Sequence, residues 1–208
     1  MIAALLAALA AIGQPADWTP LSFRGIPPVN HTIAKDSITL RVVQSAGGIV
    51  RPLPAGTHVK TITIRGRIEG QLNTRAAARW QEENDDALLR VGLIHAGGKP
   101  LNALQRTAAP GWIRTLDDVL CKAGRGPARI DNLLLTPHAD WVGKSRQHPK
   151  MKQVHERFAA APGKNGTFTL TSTFDEPIDA LGLWLMADGD NTESTFTVTI
   201  TGIELTAP

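Results

Sequence analysis

Apolar and polar residues alternate with period two along two stretches of the chain. In Thr167-Phe168-Thr169-Leu170-Thr171-Ser172-Thr173-Phe174, the residues Phe168, Leu170 and Phe174 share one face and threonines fill the other. Thr195 to Thr201 repeats the pattern with Phe196, Val198 and Ile200. Successive side chains of a strand point to opposite faces, so both segments read as strands with one buried and one wet face. A helix would scatter the same apolar residues around its circumference.

Weaker alternation predicts further strands. Ile38, Leu40 and Val42 share a face, as do Ile62, Ile64 and Ile68. Leu181, Leu183 and Leu185 lie opposite Gly182, Trp184 and Met186. In Asp85-Asp86-Ala87-Leu88-Leu89-Arg90-Val91 the period places Ala87, Leu89, Val91 and Leu93 on the apolar face, with Asp86, Leu88 and Arg90 opposite. In the last strand Ile203 and Leu205 fall out of phase with Ile200, which predicts a bulge at Gly202. Two short helices are expected. One runs over Leu116–Leu120 with Thr115 as its cap and Gly124 closing its end, and an Ala-rich one spans Thr74 to Glu83. Residues 144–160 fit either a helical face through Met151, Val154 and Phe158 or a strand, and the strand is preferred. Pro162 to Gly166 then reads as a hairpin turn into Thr167. Ala46-Gly47-Gly48 and Gly97-Gly98 read as simple turns.

Many strands, frequent turns and no run of long helices predict an all-β fold. The expected form is an antiparallel β-sandwich of jelly-roll type with one to three short helices. At 208 residues, one domain can bury an adequate core without staples. Ile2 to Ile12 is wholly apolar, has the length of a signal-peptide core, and is followed by small residues. Residues 1–16 are therefore expected to be an export signal and 17–208 a single domain, periplasmic or secreted. No span is expected in the mature chain.

Composition narrows function mainly by exclusion. A formal charge of +3 spread along the chain gives no basic stripe for nucleic acid; the densest group is Lys144, Arg146, Lys150 and Lys152. The single cysteine, Cys121, permits no intramolecular disulfide and no C-x-x-C pair. The six histidines lack zinc spacing and are read as loop residues. No nucleophile elbow and no nucleotide-binding fingerprint is present.

Three places resemble an uncharacterised family of exported bacterial proteins built on a domain of unknown function. They are the Trp18 to Phe23 segment, the paired-Asp strand at Asp85-Asp86, and Asp188-Gly189-Asp190-Asn191-Thr192 before the final strand. Residues 100 to 165 fit that pattern poorly, and Arg65-Gly66-Arg67 stands where an aromatic-rich strand belongs. The resemblance implies a galactose-binding-like sandwich, and it carries over no catalytic residue.

Two constellations are candidates for chemistry. Asp85, Asp86 and Arg90 form either a polar ligand patch or a cross-strand ion-pair network. Asp188, Asp190 and Asn191 crowd oxygen donors into a short turn, which suits Ca²⁺; the same residues also make an ordinary hairpin turn. Trp112 and Trp141 lie in loop-like sequence where an exposed ring stacks on a sugar. Trp18 and Trp184 read as core, and Trp80 as either. The expected function is a non-catalytic binding module for a glycan or another polar ligand. The alternatives are a polysaccharide hydrolase or lyase using Asp85 or Asp86 with Asp188 or Asp190, and a structural envelope protein with a protein partner.

Overall fold

A computed structural model describes residues 8–10, 12–74, 85–122, 124–149 and 151–208. The Ala-rich helix expected from Thr74 to Glu83, Trp80, Lys150 and most of the apolar N-terminal run lie outside the described residues.

The strands form two sheets that share one long strand. The first sheet contains β1 (Ala8–Ala10), β3 (Asn30–Ile33), β4 (Ile38–Val43), β6 (His58–Gln71) and β12 (Thr195–Thr206). The second contains β2 (Thr19–Ser22), β5 (Ala46–Pro52), β7 (Ala87–Gly98), β8 (Gly126–Leu135), β9 (Ser145–His148) and β10 (Met151–Ala160). β11 (Thr167–Asp188) belongs to both. Its Thr167–Thr173 half pairs with β6, and its Gly182–Asp188 half lies between β5 and β7. The orders are β3-β4-β12-β6-β11 and β11-β7-β8-β10-β9, with β5 and then β2 on the other side of β11. The fold is a β-sandwich, largely antiparallel, with β8 and β10 paired in parallel.

Alternation dictates which faces meet. Ile38, Leu40, Val42, Ile62, Ile64, Val198 and Ile200 from the first sheet pack against Leu89, Val91, Leu93, Leu133, Leu183 and Leu185 from the second. The opposite face of β6 and β11 is wet, and Thr61–Thr173 and Thr63–Thr171 hydroxyl pairs at 3.1 and 3.2 Å line it. The bulge expected at Gly202 is present between Ile200 and Gly202, and it keeps Ile200, Ile203 and Leu205 all in the core.

Several local expectations are corrected. β7 carries a bulge of its own: Met186 pairs with Arg90 but Asp188 pairs with Ala87, so Leu88 and Leu89 together oppose Ala187. The bulge turns Leu88 into the main core and moves Ala87 to the outer face beside Leu134, Trp141 and Phe158. Ala46-Gly47-Gly48 is strand, not turn. Gly48 sits so close to β11 that a Cβ would come within 2.4 Å of the Leu185 carbonyl oxygen. The turn at 162–166 exists, with Gly166 at φ +78°, but it carries the chain from one sheet to the other instead of closing a hairpin. Residues 145–148 and 151–160 are strands.

Two helices follow β7, and the second covers the outer face of the second sheet over β2, β5 and β8. They are α1 (Ala103–Ala108) and α2 (Gly111–Leu120). α2 begins five residues before the expected start, behind Pro110, so Thr115 lies inside it and donates to the Gly111 carbonyl at 3.2 Å. Leu116 and Leu120 bury against Ile94, Ile130, Val154 and Trp184. Gly182 admits the helix, since a Cβ there would meet Leu120 Cδ2 at 2.7 Å.

At the N-terminus, Ala8–Ala10 pairs with Glu204–Thr206. Ile12 is buried in the main core, and its carbonyl accepts from Trp18 Nε1 at 2.7 Å.

Candidate functional site

The outer face of the second sheet carries a row of side chains set by register. Two-residue steps along β11 present Trp184, Met186 and Asp188 on this face, and Gly92 and Arg90 of β7 pair opposite Trp184 and Met186. One strand further, Asn132 pairs with Gly92 and Leu134 with Arg90; on β10, Glu156 pairs with Asn132. This face is apolar near α2 and becomes charged towards the end of β11.

Arg90 is the hub. It is 2% exposed. Its Nε donates to Glu156 Oε1 at 3.1 Å, Nη1 to Asp188 Oδ2 at 2.6 Å, and Nη2 to the Asp85 carbonyl. Burial pulls the guanidinium pKa down, but Asp188, Glu156 and Asp85 together raise it above its ordinary value. Glu156 is equally buried, and its other oxygen accepts from Arg146 Nε at 2.6 Å. Burial would raise the Glu156 pKa; Arg90 and Arg146 hold it below the usual carboxylate range.

The acidic turn after β11 folds back onto the start of β7. Asn191 Nδ2 donates to Asp85 Oδ1 at 3.0 Å. Thr192 donates to Asp86 Oδ2 twice, from its backbone nitrogen at 2.8 Å and its hydroxyl at 2.6 Å. His148 Nε2 lies 3.7 Å from Asp85 Oδ2, and burial lowers the His148 pKa. Gly189 is needed for close approach: a Cβ there would meet Val42 Cγ1 at 2.9 Å and Phe196 Cε1 at 3.1 Å.

Asp85, Asp86 and Asp188 are thereby brought together and buried, each offering an oxygen within 4.8 Å of the others. That span matches oxygens on opposite sides of a Ca²⁺ ion at about 2.4 Å each, and the cluster could hold such an ion. Asp86 Oδ1 and Asp188 Oδ1 are buried without a hydrogen-bond partner among the described residues. Burial, then the charge of Asp188, push Asp86 up to about 6. Burial also pushes Asp188 up to about 7 against the pull of Arg90, and neighbouring Asp190 adds to the rise.

A pocket of about 160 Å³ opens beside the cluster. Asp85, Asp188, Asp190 and Asn191 line its acidic end, and Phe23, Ile26, Met151 and Trp184 its apolar walls. Trp184 is 2% exposed, and its Nε1 has no acceptor among the described residues.

No protein-family model matches the chain, and no curated protein matches it. Solved structures of similar shape include a cleaved adhesin domain of Lys-gingipain from Porphyromonas gingivalis, at 11% identity and a TM-score of 0.39, with 97% of this chain and 98% of that one covered. A low-affinity xylan-binding module from Roseburia intestinalis aligns over 97% of this chain and 95% of its own, at 10% identity and a TM-score of 0.34. The enzymatically active domain of a tailspike protein of bacteriophage CBA120 aligns over 92% of this chain at 9% identity and a TM-score of 0.40, and this chain spans only 19% of that one.

The residues singled out from the sequence divide between this site and its surroundings. Asp85, Arg90, Asp188, Asp190 and Asn191 line the pocket, and Asp86 stands behind Asp188. Trp112 is not in a loop. It sits on α2 and packs edge-on between Phe23 and Trp184, with ring centroids 5.9 and 5.8 Å away, so it buttresses the apolar wall. Trp141, expected to expose a ring, is 4% exposed in a single 3-10 turn and packs edge-on against Phe158. A strand-end cluster of Ala87, Leu134 and Phe158 takes up its face.

Sequence reasoning missed Glu156, His148 and the walls Phe23, Ile26 and Met151. Glu156 had a detectable signal: once 151–160 is a strand, it falls on the same face as Val154 and Phe158, and a carboxylate on an apolar face needs a partner. His148 ends a strand and is buried, which nothing in its neighbours announces.

Proposed function

We propose that the protein is an exported binding module of the cell envelope whose pocket holds Ca²⁺ between Asp85, Asp86 and Asp188 and presents it to a glycan or similar polar ligand. The observation that carries this reading is the convergence of three buried carboxylates, two with partnerless oxygens, beside a pocket that two of the three line. Counted with Asp190 and Glu156, five acids face two arginines. Asp190 is partly exposed and the other four are buried, and such an excess of negative charge is relieved by protons or by a cation. Donors that are all oxygen favour a hard cation, and a turn with further carbonyls suits the six to eight ligands of Ca²⁺ better than the strict octahedron of Mg²⁺. Asp188 can offer Oδ1 while Oδ2 stays on Arg90.

Export is part of the proposal and rests on the sequence of the apolar run Ile2 to Ile12 alone; the pairing of Ala8–Ala10 with β12 and the burial of Ile12 stand against removal of the whole run. No helix among the described residues is long and apolar enough to cross a membrane.

The hydrolase or lyase reading draws on the raised pKa values of Asp86 and Asp188, which suit a general acid. Against it, both carboxylates are buried, and Asp86 does not line the pocket.

Terbium tests the cation reading. Tb³⁺ in place of Ca²⁺ should luminesce on tryptophan excitation, because Trp184 lines the same pocket, and Ca²⁺ should quench that emission by competition. Asp188→Ala should abolish the signal. Absence of sensitised emission from the folded wild type, or emission unchanged in Asp188→Ala, would refute the site.

A further inference from the structure

The pocket is divided along its length. Trp184, Met186 and Asp188 follow one another on the same face of β11, so its lining passes from an aromatic to an acidic end. Phe23, Ile26 and Met151 wall the first part and are only partly buried, while Asp190 and Asn191 rim the second. Its volume is about 160 Å³, below the roughly 300 Å³ at which small-molecule sites begin. A chain segment does not fit such a space; one ring does.

We infer that the pocket takes the terminal sugar of a glycan, seated by two adjacent hydroxyls on the cation at Asp85, Asp86 and Asp188, with its C–H face against Phe23, Ile26 and Met151. The inference rests on the cation reading above and adds the ligand to it. A sugar ring offers the two chemistries the pocket offers, an edge of hydroxyls and a face of carbon-bound hydrogens, in a rigid unit of one ring. Vicinal hydroxyls are neutral oxygen donors that replace two waters on a calcium ion without adding charge. A free carboxylate or phosphate would meet Asp188 and Asp190 at close range. A purely apolar ligand would leave the acidic end unmatched. Trp184 lines the aromatic end, and its buried Nε1 without an acceptor among the described residues is an observation independent of the acids. Trp112 braces both Trp184 and Phe23 from behind, which fixes the wall before ligand arrives.

Calorimetric titration of the full chain with methyl glycosides of galactose, mannose, fucose and xylose, in Ca²⁺ and again in EDTA, tests the inference. At least one glycoside should bind in Ca²⁺ and none in EDTA, and oligosaccharides ending in that sugar should bind no tighter per end group. Phe23→Ala should weaken the sugar about tenfold while leaving terbium luminescence intact. Terbium and Ca²⁺ binding with no glycoside bound, or Phe23→Ala binding like wild type, overturns the sugar seat and leaves the cation. Glycoside binding that survives EDTA overturns the cation and, with it, seating through hydroxyls. Binding of N-acetyl-lysine amide in place of every glycoside overturns the sugar in favour of an ammonium ligand.

Discussion

Arg90→Met is the sharpest perturbation of this molecule. Methionine fills much of the arginine's volume, so the change removes charge and hydrogen bonds with little loss of packing. Glu156, with 0% of its side chain exposed, would keep only Arg146, and Asp188 would lose its 2.6 Å partner. Breaking a buried pair by deleting one side costs about 3–5 kcal/mol, because the surviving charge is left uncompensated. In a domain of this size each kcal/mol moves the melting temperature by about 2–4 °C, so a fall of about 6–20 °C is expected. Urea unfolding at neutral pH in EDTA measures the free-energy loss, and thermal unfolding followed by circular dichroism measures the fall in melting temperature. Adding Glu156→Gln should restore part of the loss. Millimolar Ca²⁺ should restore more in Arg90→Met than it adds to wild type, since the cation then has Asp188 to itself. A loss below about 1 kcal/mol would mean that the network behaves like a surface ion pair and that its burial has been misjudged.

Three further outcomes are expected. Asp86 and Asp188 have raised pKa values, so their ionisation works against folding; the melting temperature in EDTA should fall as pH rises from about 4 through about 7, and Ca²⁺ should flatten that slope. A profile in EDTA that is flat across this window would contradict the buried placement of the two acids. Thr192→Val removes the 2.6 Å hydroxyl bond to Asp86 and should cost about 1–3 kcal/mol in chemical denaturation; a neutral result would show the turn docked by other contacts. Gly48→Ala drives a Cβ towards the Leu185 carbonyl and Met186 Cα, which are backbone and cannot rotate away, so β5 should shift at a cost of about 1–3 kcal/mol. Chemical denaturation of that variant reads the cost, and wild-type stability would disprove the tight approach.

The strands with one wet face were legible in the sequence, because threonine against phenylalanine, valine and isoleucine leaves little choice of period. So was the Gly202 bulge, where three apolar residues could share one face only by a slip. The strand bearing Arg90 was half legible. Alternation placed Arg90 correctly, but a bulge two residues earlier put Leu88 in the core, and three apolar residues in a row hide such a slip. β5 was unreadable as a strand, since its first three residues are Ala-Gly-Gly; Gly48 serves a close approach to β11, and Gly47 one to Leu21 and Val29, that no local pattern encodes. The acids at 85–86 and 188–191 were visible as groups, and their meeting depended on which ends of which strands the topology juxtaposes. Trp141, expected at the surface, was misplaced because a polar neighbourhood in sequence says nothing of what packs over a ring from another strand; Trp112 lies on a helix, not in a loop, and is partly buried.

β11 pairs with β6 through one half and with β5 and β7 through the other. In a chain made from its N-terminus, β5, β6 and β7 are complete long before residue 167 appears, and until then β6 lacks its neighbour in the first sheet and β5 and β7 lack the strand between them in the second. Their ladder edges wait unpaired, and apolar faces from both layers wait uncovered. A chain stopped before β11 would thus lack the join between both sheets, not one sheet of two, and should be recovered as aggregate. Unfolding by force should run the same dependence backwards, since pulling β11 free opens both layers in a single event.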